Sequence, residues 1–263
     1  MPQDSYSGIS APDAGTPDIG TTGRGLARDG LGRDGLVVAL RQRTRGLHAA
    51  AERSGIIREV LRGTASRYGY ALLLRALLPA YQALEAGLER HRTGQLLAAV
   101  ARREVYRASA IEADLAALAG RDWRQALPLP GSGLHYADRV AAAASGDGAG
   151  LLAHAYTRFL GDLSGGRVMA ARLAGIVPPL PGLRFHEFPA IADLAAFRSV
   201  YLSALDDAGR RVGNQQAIVE EAAEAFICNI AVSEEVRAHA CISEASTGEF
   251  DLDQTVRPIP LSI

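Results

Sequence analysis

Within Tyr156-Thr157-Arg158-Phe159-Leu160-Gly161-Asp162-Leu163-Ser164-Gly165-Gly166 the chain sets three glycines and one carboxylate inside a stretch that otherwise favours helix. Glycine in a helix interior costs roughly 0.5–1 kcal/mol against alanine, so the run forgoes about 2–3 kcal/mol of local propensity. Something must come close to that backbone. Thr157, Gly161 and Gly165 recur every four residues, as do His154, Arg158 and Asp162, so one helix carries a small face beside a polar one. Two readings fit. The small face is a close helix crossing, or a flat, bulky ligand lies against it, with Asp162 placed to organise water or carry protons. A second constellation lies far upstream. His48 sits on the apolar stripe of Val37, Leu40, Thr44, Leu47 and Ala51, a face expected to point inward. It is either a core histidine or a metal ligand. Glu52, one turn later, is spaced to orient the far ring nitrogen, and Arg41 lies seven residues earlier on nearly the same face.

The elements that must position these groups are helices. From Leu36 onward apolar residues recur at spacings of three and four, Ala, Leu, Arg and Glu dominate, and strand signals are nearly absent, which predicts an all-α fold. Helices are expected at about 36–53, 66–90, 101–119, 132–145, 148–175, 190–206 and 209–240, with a kink admissible at Gly165-Gly166. Breaks fall at Gly94, Pro128–Gly133, Gly146–Gly150 and Pro178–Gly182. Residues 1–35, rich in Gly, Pro, Asp, Ser and Thr, read as a disordered extension. Residues 36–240 form the helical domain, and 241–263 an irregular tail.

Ala153-His154-Ala155-Tyr156-Thr157-Arg158-Phe159-Leu160-Gly161-Asp162-Leu163-Ser164-Gly165-Gly166 resembles the distal-helix signature of the haem oxygenase family. The similarity extends across most of residues 36–240, through Leu47-His48 with Glu52, Tyr81-Gln82-Ala83-Leu84-Glu85, Glu112-Ala113-Asp114-Leu115, Phe188-Pro189 and Phe226-Ile227-Cys228-Asn229-Ile230. The resemblance implies a single-domain bundle with haem between a proximal helix and a kinked distal one. Haem b is then cofactor and substrate, O2 the co-substrate, and the products are biliverdin, carbon monoxide and ferrous iron. It puts the axial iron ligand at His48 and a propionate contact at Arg41. Seven helical residues span about 10 Å, comparable with the distance from a haem iron to its carboxylate edge. Arg198 resembles a second propionate contact, whereas Leu202 occupies a position that is basic in animal relatives. Tyr156 is a further propionate donor, and Phe226 and Asn229 resemble pocket-wall residues. Tyr81, Arg158 and Asp162 match the distal hydrogen-bond network. Gly161 and Gly165 would let the backbone approach the reacting oxygen while Asp162 meters protons through ordered water. A non-degrading haem carrier or sensor on the same fold is the alternative, and a helical interaction protein a further one.

His154 is treated as structural. His91, His135, His186 and His239 read as loop-adjacent or solvent-facing, and no paired Glu-x-x-His di-iron pattern occurs. Balanced charge, 28 basic against 29 acidic residues, argues against a general nucleic-acid binder. Two cysteines are too few for a disulfide framework, no apolar stretch is long enough to span a membrane, and no signal-peptide pattern opens the chain, so a cytoplasmic protein is expected. Seven arginines and two acids between Arg41 and Arg67 form a basic face. No dinucleotide fingerprint follows a strand. Electrons are therefore expected from an external ferredoxin or flavodoxin-like protein with its reductase, steered by that face.

Overall fold

The computed structural model describes residues 35–176 and 180–246; the predicted N-terminal extension and the tail beyond 246 lie outside the described residues. Helices account for the regular structure: α1 Leu36–Glu52, α2 Gly55–Arg62, α3 Arg67–Arg90, α4 Ala108–Ala119, α5 Trp123–Ala126, α6 Gly131–Ala143, α7 Leu151–Ala155, α8 Gly161–Ala174, α9 Leu194–Gly209 and α10 Gln215–Ser246. There is no strand among the described residues. α3 packs on α4, α6 and α10, α1 runs along α10, and α2 joins α10 to α8. α3 begins at Ser66, whose hydroxyl accepts from the Gly69 amide at 3.0 Å, and α9 at Asp193, whose carboxylate accepts from Ala195 and Ala196. Each cap satisfies amides that a helix start leaves unpaired.

Several boundaries depart from the sequence expectation, among them the starts of α9 at Leu194 and of α10 at Gln215. α4 starts at Ala108, because Arg103–Val105 forms a separate 3-10 turn. α10 continues to Ser246, so residues 241–246 are helical and not part of an irregular tail. α2, like the four-residue α5, had no expected counterpart. It exists because α10 comes very close: Gly55 has φ of 29°, and a Cβ there would stand 2.0 Å from the Ser233 carbonyl oxygen. Only glycine tolerates both the backbone and the contact. The Glu234 carboxylate then accepts from the Gly55 amide at 2.7 Å, tying α2 to α10. Finally, α7 and α8 form one run joined by a π turn at Tyr156–Leu160. The kink admissible at Gly165-Gly166 is absent, since both residues lie inside regular α8, and the irregularity falls earlier in the run. Single π turns recur at functional sites, and they bend helices without a proline.

Candidate functional site

A cavity of about 500 Å³ opens between α1, α2, α3, the α7–α8 segment, α9 and α10. Its volume falls in the range of small-molecule sites. α1 contributes Arg41, His48 and Glu52, and the π turn and α8 contribute Tyr156, Arg158, Gly161, Asp162 and Gly165. Arg198 and Leu202 come from α9, and Phe226 and Asn229 from α10. Leu73, Leu77, Ile57 and Leu61 make an apolar wall from α2 and α3.

The glycine face points into this space. A Cβ on Gly161 or Gly165 would meet nothing within 4 Å, whereas one on Gly166 would lie 3.7 Å from His186 Nδ1. The helix-crossing reading of Gly161 and Gly165 is thereby overturned, since no helix packs on them. Their lack of side chains widens a cavity.

Asp162 is the most constrained group on that wall. Tyr81 Oη donates to its Oδ2 at 2.6 Å, and Arg158 Nε donates to Tyr81 Oη at 3.0 Å. Arg158 Nη2 stands 3.7 Å from Asp162 Oδ1, and Arg158 Nη1 donates to Asn229 Oδ1. Asn229 in turn donates to the Ala225 carbonyl at 3.0 Å. Burial pushes the Asp162 carboxyl above its usual range, while the Arg158 charge and the Tyr81 hydrogen bond pull it down. Burial likewise raises the Tyr81 hydroxyl well above the ordinary tyrosine range. The result is a carboxyl fixed in position at the cavity edge, its side chain 9% exposed.

His48 is held differently. Its side chain is 58% exposed, so its face of α1 turns toward the open cavity and not into packed core as expected. Glu52 Oε1 lies 3.6 Å from His48 Nδ1, outside hydrogen-bond range. The Phe226 ring sits 5.8 Å from the imidazole, tilted by 57°. Arg41 is exposed on the same helix, and Arg198 is exposed across the cavity with Nη1 donating to Ser164 Oγ at 3.2 Å.

The family model described as Heme oxygenase matches residues 34–235. Heme oxygenase 1 of Homo sapiens is 34% identical over 204 residues, 76% of this chain and 70% of that protein. Heme oxygenase 1 of Synechocystis is 32% identical over 206 residues, 78% of this chain and 85% of that protein. The crystal structure of Synechocystis heme oxygenase-1 in complex with heme superposes with a TM-score of 0.75 at 30% identity, covering 81% of this chain and 97% of that one. The heme oxygenase structure from Leptospira interrogans gives 0.72 at 31%, covering 77% and 100%. The chain belongs to the haem oxygenase family. It is an enzyme of haem degradation, cleaving haem oxidatively to biliverdin with release of carbon monoxide and ferrous iron.

The haem oxygenase residues named from sequence gather around one cavity, with one exception in kind. Tyr81 does not line it but stands behind Asp162, fully buried. Asn229, expected as pocket wall, is also part of the Arg158 network. His154 is off the cavity, fully buried, with Nε2 2.9 Å from Glu221 Oε1. His186 corrects the sequence reading most. It is not solvent-facing but 6% exposed, lines the cavity, and shares a 3.1 Å hydrogen bond with Tyr70 Oη. Only a partner from α3, distant in sequence, reveals it, so local spacing carried no signal. Ser164, not singled out from sequence, also lines the cavity, where its hydroxyl accepts from Arg198. The basic face is thinner than its composition suggests, because Arg43 pairs with Glu220 at 2.8 Å and Arg67 donates to the Leu118 carbonyl at 2.9 Å. Arg45, Arg53, Arg58 and Arg62 have no ion pair among the described residues. No helix among the described residues is long and apolar enough to cross a membrane.

Proposed function

We propose that haem b occupies the cavity with His48 as axial ligand, its propionates held by Arg41, Arg198 and Tyr156, and that Asp162 governs proton supply beside Gly161 and Gly165. The chain's own residues fit the group. An imidazole and a bare-backbone face share one cavity, the guanidinium groups are exposed, and Ile57, Leu61, Leu73 and Leu77 are apolar, as a flat hydrophobic ring with an acidic edge requires. Guanidinium forks suit carboxylates. Bound haem supplies iron-centred O2 chemistry on its own ring. The protein contributes placement, exclusion of bulk water and a metered proton.

The observation that carries this reading is the pairing of Asp162 with two glycines that open onto the same space. A haem carrier needs no such acid. With its position set by Tyr81 and Arg158, the Asp162 carboxyl can hold an ordered water by one oxygen and pass protons singly, as general acid catalysis demands. Glu52 has to move closer to bond the His48 ring, and haem ligation supplies the reason for it to do so. Electrons come from an external ferredoxin or flavodoxin-like donor with its reductase, in the cytosol. The unpaired Arg45, Arg53, Arg58 and Arg62 near α1 and α2 supply a basic landing face.

The test is to load haem, add reductant anaerobically and then admit air. Loss of the Soret band with growth of biliverdin absorbance that requires O2 is expected; a Soret band that persists refutes the reading. For the donor face, ferredoxin-driven turnover should fall several-fold with rising ionic strength and with Arg53→Glu. Turnover indifferent to both removes the steering role.

A further inference from the structure

Two buried polar side chains on the cavity lining go unused by the reading above: Thr157, whose hydroxyl oxygen is sealed off, and His186, at the buried end, whose Nδ1 is not. His186 sits on the 3-10 turn Arg184–His186, fixed by Asp114, whose carboxylate accepts from the Arg184 amide at 3.0 Å and the Phe185 amide at 2.8 Å. Its ring packs on Phe185 at 4.8 Å and on Tyr70 at 6.2 Å between centroids, and Leu73, Leu77 and Met169 line the same cavity. Burial pushes the imidazole down to about 4, so it is neutral at physiological pH.

The hydrogen bond to Tyr70 decides the tautomer. Tyr70 Oη has no other partner among the described residues. If Nε2 carried the proton, it would donate to Tyr70 and leave the hydroxyl hydrogen buried and unused. Tyr70 donating to Nε2 satisfies both groups, and it puts the imidazole proton on Nδ1. Nδ1 has no partner among the described residues and lies over the Gly166 face of α8, on the cavity lining. A side chain more than nine-tenths buried therefore presents an unpaired N–H donor to the cavity. Nδ1 is not among the sealed unpaired atoms of the interior, so it stays open to whatever occupies the cavity.

Haem does not supply that acceptor. With its propionates at the exposed Arg41 and Arg198, as read above, the ring edge facing the buried end carries only methine, methyl and vinyl groups. Ring opening changes that edge chemically, since each carbon that flanked the lost bridge becomes a carbonyl. We propose that His186 is a product-recognition residue, its Nδ1–H donating to a carbonyl oxygen of the opened tetrapyrrole. Tyr70 is then a positioning residue that holds the tautomer. The donor is idle toward substrate and engaged by product, so it favours the opened state and slows its release.

This rests on haem occupying the cavity as described, and the test separates the two claims. Haem and biliverdin are titrated separately into the parent protein, His186→Phe and His186→Asn, with the histidine-ligated haem spectrum as the check on folding. Phenylalanine should weaken biliverdin binding about tenfold while haem affinity stays within about twofold, and asparagine, which keeps a donor, should recover most of the loss. Biliverdin affinity unchanged in His186→Phe overturns the proposal, as does equal weakening of both ligands, which marks a structural role. A parent protein that takes up no haem overturns the underlying reading and this proposal with it.

Discussion

His48 and Asp162 face one cavity from helices that constrain them in opposite ways. On α1 the imidazole is more than half exposed, and its carboxylate neighbour stands beyond bonding distance. On α8 the carboxyl is nearly buried and bonded to Tyr81, with Arg158 and Asn229 locked behind it. A ligating group needs only to reach its metal, because bond formation itself orients the ring. A proton-handling group has no such bond to align it, so the protein must fix it in advance. The binding wall is adaptable and the chemical wall preorganised.

Removing His48 should break this contrast most visibly. His48→Ala is expected to abolish the histidine-ligated absorption spectrum and turnover together, and a retained spectrum would move the ligand elsewhere. Asp162→Ala should keep that spectrum and haem affinity within a few-fold, while biliverdin formation in single-turnover assays drops by about 10²-fold or more. A normal biliverdin yield would mean that the rigid network serves only stability. The buried side should also carry a pH dependence. His186 titrates near 4 when folded against 6.5 ordinarily, so between those values the unfolded chain binds more protons and stability falls as pH falls. Asp162, raised by burial, works in the other direction. Between pH 7 and pH 5, urea unfolding of the parent should lose about 2 kcal/mol more than His186→Phe does. The smallest effect is the most pointed. Gly161→Ala meets open space at a helical backbone position, so it should raise stability by about 0.5–1 kcal/mol yet lower turnover, and equal or higher turnover would deny that the bare backbone is used.

Groups spaced along one helix were the ones legible beforehand. His48 with Arg41, and Asp162 with Gly161 and Gly165, follow from a period that any helix imposes. Tyr81 and Asn229 needed the family resemblance, and the way they join through Arg158 needed coordinates. His186 escaped both, because its meaning lies in Tyr70, 116 positions away in sequence. α2 escaped for a related reason: what shapes its start is the contact of Gly55 with Ser233, 178 positions away. The exposure of His48 was misjudged because an apolar stripe marks a face turned from bulk solvent, and a stripe cannot distinguish packed core from cavity wall.

The π turn at Tyr156–Leu160 carries a consequence of another sort. A π turn takes in about one residue more than an α turn, so the periodicity read from the sequence slips by about 100° across it while the flanking helical segments keep their facing. The fully buried Leu151–Ala155 segment and the cavity-facing Gly161–Gly165 segment are therefore out of step in sequence and in step in space. Loss of a single codon between them would leave composition and helix propensity almost untouched. It would turn the wide turn into an ordinary α turn that still carries the acid and both glycines to the cavity, whereas the same loss in a regular stretch of helix would rotate all that follows by about 100°, so here the place of a residue matters as much as its identity.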